Sequence, residues 1–187
     1  CEFCAQWLEL HFELEMTVHY KYSTFEEVLR EVYSNPDVMG KRNLNGLFMS
    51  QTFWVNHTKF IDYFNNEFCS HNPSEGRVIE VPVGTGLYIS EFMQRNKNWH
   101  ADGVDVSESS IKLSEKVIGI NCDSKVNLIL DNVFDYKGSG YDRVICGELL
   151  EHLDHPEDLL KKLQEFLAPD GKLFLTTAIW AADLTHI

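Results

Sequence analysis

Positive charge is scarce in this chain. Of its 187 residues, 16 are Lys or Arg and 29 are Asp or Glu, a formal net charge of −13. Such a field repels phosphate backbones and anionic membrane surfaces, and no dense Lys/Arg cluster offsets it locally. Nucleic acid is therefore not expected as a partner. Long apolar runs are missing too, and none approaches the roughly 20 residues a membrane span needs, so no membrane role is expected. The opening stretch from Cys1 to Tyr20 has neither the basic start nor the small-residue cleavage site of a signal peptide. The cysteines Cys1, Cys4, Cys69, Cys122 and Cys146 are odd in number and scattered. Cys146 sits in an apolar strand pattern, where a reduced core thiol is expected. Cys1 and Cys4 form a C-x-x-C with no second pair to complete a zinc site. A reducing cytoplasm is the expected compartment. The chain also lacks Met at its start, as a trimmed product would.

What is present is enough for one domain with a sizeable core. Hydrophobic residues make up 44% and charged residues 24%, ordinary for a globular protein. The pattern divides into a helical section over 1–75 and a strand–helix section over 76–187. In the first, Ser23 and Glu26 fit a capping box that opens a helix carrying Phe25, Val28, Leu29 and Val32. Asn35-Pro36 and Gly40 break it. A second helix is expected from Met49 to Phe68, with His57 packed on its apolar stripe.

The second section alternates. Strands are expected at Arg77–Val83, His100–Val106, Val126–Leu130, Arg143–Cys146 and Lys172–Thr177. Helices are expected at Leu87–Arg95, from an N-cap at Ser107 to about Ile118, and from Pro156 to a stop at Pro169-Asp170-Gly171. This order implies a doubly wound, mainly parallel α/β sheet with helices on both faces. Ligands of such sheets bind beyond the carboxyl ends of the strands, at the switch point beside the first strand.

After the first strand comes E-V-P-V-G-T-G, Glu80 to Gly86. Two glycines let backbone approach a ligand, but a dinucleotide cradle would need a third glycine where Ile89 stands. Glu80 inside an apolar strand needs a cationic partner, such as an amino-acid ammonium, or it caps loop N–H groups. The second strand ends in G-V-D-V-S. Asp105 there could accept hydrogen bonds from ribose hydroxyls, or cap the next helix, for which Ser107 is better placed. After the third strand, D-N-V-F-D offers a carboxylate and backbone N–H groups to an adenine edge.

With these pieces in order, the chain resembles the class I S-adenosylmethionine-dependent methyltransferases. The likeness runs from Val78 to Thr177 through V-I-E-V-P-V-G-T-G, G-V-D-V-S, D-N-V-F-D, Y-D-R-V-I-C-G-E-L-L-E-H-L-D-H-P-E-D-L-L and L-A-P-D-G-K-L-F-L-T-T. The resemblance implies a Rossmann-like core over 76–187 under an N-terminal helical lid over 1–75, with S-adenosylmethionine or S-adenosylhomocysteine as cofactor. It implies that Gly84, Thr85 and Gly86 pack against the cofactor and that Glu80 faces its methionine end. Asp105 and Val106 would hold the ribose, and Asp131, Asn132 and Val133 the adenine. Gly147 and Glu148 would line the sulfonium side, with Tyr22, beside Tyr20, closing over it. The family's sheet has seven strands ending in an antiparallel hairpin; this sequence supplies five, so the hairpin is expected to be absent or truncated.

Methyl transfer needs alignment and water exclusion, and a base only for some acceptors. Glu148 and His152 are the candidates for that role, with His155 nearby. Glu148, Glu151 and His152 spell E-x-x-E-H, which in RNA-end methyltransferases binds a metal with a further histidine, here His186. The acidic charge opposes that reading, and no metal is expected. Alternatively, Glu151 and His152 organise the loop and helix start. The function implied is methyl transfer to a small-molecule acceptor, with a non-catalytic cofactor-binding domain as the alternative and a homodimer left open.

Overall fold

The computed structural model describes residues 2–35, 38, 54–122 and 126–179. Helix α1 (Glu2–Thr17) precedes anything the pattern predicted. Helix α2 (Phe25–Val28) runs into a wider turn over Leu29–Tyr33, closed by Ser34 N–H donating to the Leu29 carbonyl. Helix α3 (Val55–Tyr63) widens likewise over Phe64–Phe68. Residues 49–53 of the expected second helix, and Cys1 of the C-x-x-C, lie outside the described residues. Strand β1 (Arg77–Glu80), helix α4 (Leu87–Arg95), β2 (His100–Asp105), α5 (Glu108–Asn121), β3 (Val126–Leu130), β4 (Tyr141–Gly147), α6 (Pro156–Phe166) and β5 (Leu167–Thr176) follow.

All five strands are parallel, in the order β3-β2-β1-β4-β5. The chain winds outward from β1 to β3, then crosses back to lay β4 on the other side of β1. That crossing puts the switch point between β1 and β4. Both faces of the sheet are covered, which is why Val144-Ile145-Cys146 of β4 is apolar without alternation. One face carries Val78, Ile145 and Phe174 against Ile89, Phe92 and Met93 of α4 and Phe64 and Phe68 beyond α3. The other carries Ile79, Val104, Val144 and Cys146 against Leu159, Leu163 and Phe166 of α6. The helical section thus feeds the central core through its second half. Its first half builds a small core of its own, with Val28 and Val32 packed by Leu10, Tyr22, Tyr33 and Leu113 of α5.

Several boundaries differ from the sequence reading, three of them for a local reason. The capping box sits one residue later: the Thr24 hydroxyl accepts from Glu27 N–H, and the Glu27 carboxylate accepts from Ser23 N–H. Thr24 takes the extended conformation an N-cap requires, at φ −141°. Strand β1 ends at Glu80 because Pro82 has no N–H to continue the ladder. Its neighbours still donate, Val81 to the Ile145 carbonyl and Val83 to that of Val104, so the turn is stitched to strands on both sides. Helix α6 stops at Phe166, and Leu167 already pairs with Tyr141. The Pro169-Asp170-Gly171 turn is an irregularity inside β5, with Asp170 at φ +65°, not the end of a helix.

Candidate functional site

At the carboxyl end of β1 the two turn glycines do different work. Gly84, at φ +50°, borders open space: a Cβ there would meet nothing within 4 Å. Gly86, at φ +75°, faces α5, where a Cβ would lie 2.8 Å from the Ser114 Cβ. Between them Thr85 is buried.

Glu80 is 3% exposed, and its Oε2 accepts from the N–H of Ile89 in the first turn of α4, at 2.9 Å. This is the N–H-capping alternative, realised by one oxygen. Asp105 is as deeply buried. Its Oδ2 accepts from Gly84 N–H at 2.9 Å and its Oδ1 from Ser107 N–H at 2.8 Å. It therefore braces the glycine turn, while Ser107 caps α5 as expected by accepting from Ser110 N–H. The Ser110 side chain and Val106 N–H also donate to Asp105.

Burial raises the Asp105 carboxyl from 3.8 to about 6, against the lowering effect of its N–H donors. Glu80 is pushed well above its ordinary value by burial, with Asp105 adding to the rise. Neither makes an ion pair with the described residues. A carboxyl whose folded value lies above its unfolded one holds its proton more tightly when folded. Its contribution to stability is complete below 3.8 and is lost as pH rises through about 6. Thermal melts of the ligand-free protein against Asp105→Asn are expected to show it: the wild type loses ground between about pH 4 and pH 6, then stays level. A difference that does not change with pH would contradict the assignment.

The end of β4 adds more carboxylates. Glu148 is held at φ +51°, a conformation non-glycine residues seldom adopt, with its N–H donating to the Thr176 carbonyl of β5. Glu151 accepts from the Thr177 hydroxyl and from Ala178 N–H, so it anchors the segment after β5. His152 is buried beside it in the short turn Leu150–His152. The buried Cys146 thiol reports this crowding: burial raises its pKa first, and Glu151, Glu80 and Glu148 raise it further. Tyr88, in the first turn of α4, is raised in the same way by burial and then by Glu80 and Glu148. Sequence reasoning passed over Tyr88 because it sits two residues past the motif, among apolar residues.

Tyr20 also faces this group; burial and then Glu151 raise its hydroxyl. Tyr22, expected over the ligand, instead packs with Val28 and Val32, with the Lys21 ammonium 5.5 Å from its ring. Tyr20, two residues earlier, is the one whose hydroxyl lies by Glu151. Phe25 N–H donates to Asp154 Oδ2 at 3.2 Å, tying the N-terminal segment to the loop after β4.

Val106, Leu130 and Phe134, at and beyond the ends of β2 and β3, are apolar and each more than a third exposed. Asp131 Oδ1 accepts from Asn132 N–H, Asn132 Oδ1 accepts from Phe134 N–H, and Val133 is buried in the second core. Phe134 was absent from the sequence reading, which followed the polar residues of D-N-V-F-D. His155 is exposed, beside Glu157. Among the described residues no three His, Cys, Asp or Glu side chains gather as metal ligands, and His186 lies outside them.

A family model described as a methyltransferase domain matches residues 54–186. A ubiquinone biosynthesis O-methyltransferase from Xanthomonas axonopodis pv. citri is 33% identical over 108 residues, which are 56% of this chain and 44% of that protein. The enzyme of the same name from Idiomarina loihiensis is 29% identical over 108 residues, 54% of this chain and 42% of the relative. The chain thus spans less than half the length of the curated relatives it matches. Among solved structures, coclaurine N-methyltransferase bound to N-methylheliamine and S-adenosylhomocysteine superposes with a TM-score of 0.55 at 25% identity, covering 64% of this chain and 35% of its own. The plantazolicin methyltransferase BpumL shares the fold, with a TM-score of 0.60 at 17% identity over 89% of this chain and 60% of its own. No helix among the described residues is long and apolar enough to cross a membrane.

Proposed function

The chain belongs to the methyltransferase-domain family, and on that footing we propose that it binds S-adenosylmethionine and transfers its methyl group to a small-molecule acceptor in the cytoplasm. The observation that carries this reading is the gathering of Glu80, Asp105, Glu148 and Glu151 at the carboxyl ends of β1, β2 and β4. Carboxylates held this close without an ion pair at Glu80 or Asp105 suit a ligand that brings its own cations, and the cofactor carries an ammonium and a sulfonium.

The residues fit that ligand along its length. Glu80 faces the ammonium, and the space over Gly84 lets the backbone approach. Asp105 accepts from the ribose hydroxyls. Val106, Leu130 and Phe134 give the adenine an apolar seat, with Asp131 and the backbone of Asn132 and Val133 at its edge. Gly147 and Glu148 border the sulfonium, and residues 18–34 act as the lid, with Tyr20 inward.

When bound, the cofactor supplies a methyl group activated by its sulfonium. The protein aligns the acceptor with it and excludes water, and His152 or Glu148 takes the proton of a hydroxyl acceptor. His152→Ala is expected to lower turnover by about ten- to a hundredfold, toward the low end of general-base effects, and to leave cofactor affinity nearly intact. Loss of cofactor affinity together with turnover would mean that His152 only shapes the loop. The proposal itself is tested by calorimetry, with micromolar binding of S-adenosylmethionine or S-adenosylhomocysteine expected and no comparable binding of NAD. Tight NAD binding without the sulfonium ligand would end it.

A further inference from the structure

The segment that follows α1 is held to the sheet by few apolar contacts. Helix α1 ends before Val18, whose N–H donates to the Leu14 carbonyl and whose φ is +61°. A β-branched residue seldom takes that conformation, and at 62% exposed its side chain gains little from packing. From there the chain passes Tyr20 and Tyr22 into α2. Val28 and Val32 beyond them are fully buried, but Leu10, Tyr22, Tyr33 and Val38, which pack around them, belong to the same N-terminal section. Among the described residues of that small core, Leu113 of α5 is the one from the strand–helix section. A segment with so few buried apolar contacts to the rest of the protein opens at low cost.

Polar contacts fix its position instead. At the start of α2 the Thr24 hydroxyl and the Glu27 carboxylate satisfy the N–H groups of Glu27 and Ser23 from within the segment. The N–H of Phe25, the first helical residue, looks outside it and donates to Asp154 Oδ2 at 3.2 Å, across 129 residues of chain. Asp154 lies in the loop between β4 and α6. Water would satisfy the same N–H, so the bond is not needed to form the helix; it fixes the helix to the loop. The same loop carries Glu151, which lies by Tyr20 and anchors Thr177 and Ala178 through its two oxygens. The loop thus meets the segment at two points, Glu151 with Tyr20 and Asp154 with Phe25.

Building on the methyltransferase reading above, we propose that Asp154 is the latch of the lid. By holding the start of α2 to the loop after β4 it keeps Tyr20 beside Glu151, and its release sets how fast the cofactor leaves. Asp154 touches neither cofactor nor acceptor in this scheme; it is a positioning residue that acts through the segment from Tyr20 to Phe25. The contact has the right polarity to close, because a carboxylate is favoured at the N-terminal end of a helix. It is also weak enough to open. Glu26 and Glu27 in the first turn of α2 bring like charge to the same end of the helix, and Asp154 itself is exposed, where water competes for its oxygens.

Two measurements on the full chain test this. Hydrogen exchange of the ligand-free protein reads the bond: Asp154→Ala should expose the Phe25 amide and quicken exchange across α2, leaving the amides of β1, β2 and β4 as in wild type. Surface plasmon resonance reads its effect: S-adenosylhomocysteine should leave Asp154→Ala about fivefold faster than wild type, as loss of one helix-capping contact would give. Asp154→Asn keeps a side-chain oxygen for the Phe25 N–H and should match wild type in both measurements. Equal protection of the Phe25 amide in wild type and Asp154→Ala overturns the latch, as does an unchanged dissociation rate. An asparagine variant that behaves like the alanine variant overturns it too, since the hydrogen bond would then not be the cause. Faster exchange in the central strands would reassign Asp154 to the stability of the whole fold. Failure of the wild type to bind S-adenosylhomocysteine overturns the cofactor reading and the release role with it, and the Phe25 amide tells that failure apart from loss of the latch alone.

Discussion

Glu80→Gln is expected to weaken S-adenosylmethionine binding by a hundred- to several-thousandfold while making the ligand-free protein harder to melt. The two effects have one cause. Burial makes the ionised carboxylate unfavourable, so the ligand-free protein holds Glu80 above its ordinary pKa. Glutamine mimics the protonated form and can still accept from Ile89 N–H. It therefore removes a destabilising charge at neutral pH. Binding reverses the balance, because the ammonium of the ligand needs the ionised form; breaking a buried charge pair costs about 3–5 kcal/mol. It follows that binding releases a proton wherever Glu80 is protonated beforehand. Affinity should fall as pH is lowered, with the further requirement that Asp105 be ionised setting in below about 6. Calorimetry in buffers of different ionisation enthalpy reads that proton directly. A glutamine variant that keeps wild-type affinity would reduce Glu80 to a cap for α4.

Gly86→Val is expected to cost the fold about 3–5 kcal/mol, a large part of the roughly 5–15 kcal/mol that holds a domain together. A β-branched residue at positive φ carries backbone strain of order 1–3 kcal/mol. The new Cβ would also stand 2.8 Å from the Ser114 Cβ and 3.0 Å from its Cα. The second of these is helix backbone, which cannot swing aside as a side-chain tip does, and overpacking adds about 1–3 kcal/mol. Gly84→Val carries the φ strain without the collision, so its stability loss should be the smaller, with its ligand affinity suffering most. Urea unfolding of the two variants separates these roles, and equal losses would contradict the division of labour.

That division was not legible in the sequence. G-T-G announces a turn near a ligand, but only the position of α5 shows which glycine meets open space and which meets a helix. The sheet was legible because its strands are short apolar runs bounded by turn residues, and because Pro156 and Ser107 mark helix starts. The stretch from Phe166 to Lys172 misled the reading, since Pro169-Asp170-Gly171 is ordinary helix-stop chemistry and nothing local shows that Leu167 pairs with Tyr141. Glu80 and Asp105 stood out as carboxylates in apolar strands. Tyr88 and Phe134 did not, because an aromatic residue in such surroundings looks like core until its neighbours across the fold are known. Tyr20 and Tyr22 were picked as a pair, and only the fold shows that Tyr22 joins the small N-terminal core while Tyr20 lies by Glu151.

The placement of β4 beside β1 also governs when the site comes into existence as the chain folds. Within the unit from β1 to β3, each strand finds its neighbour after a single helix, and such local pairings form early. The β1–β4 contact joins residues 65 apart, as where Arg77 N–H meets Asp142, and must wait for that longer loop to close. The β4–β5 pair is as local as those of the first unit, so Glu80 and Asp105 belong to one locally paired half of the sheet and Glu148 to another, and the two meet only when the longer loop closes. A ligand spanning both halves binds only the finished sheet, and by mass action it holds the two halves together.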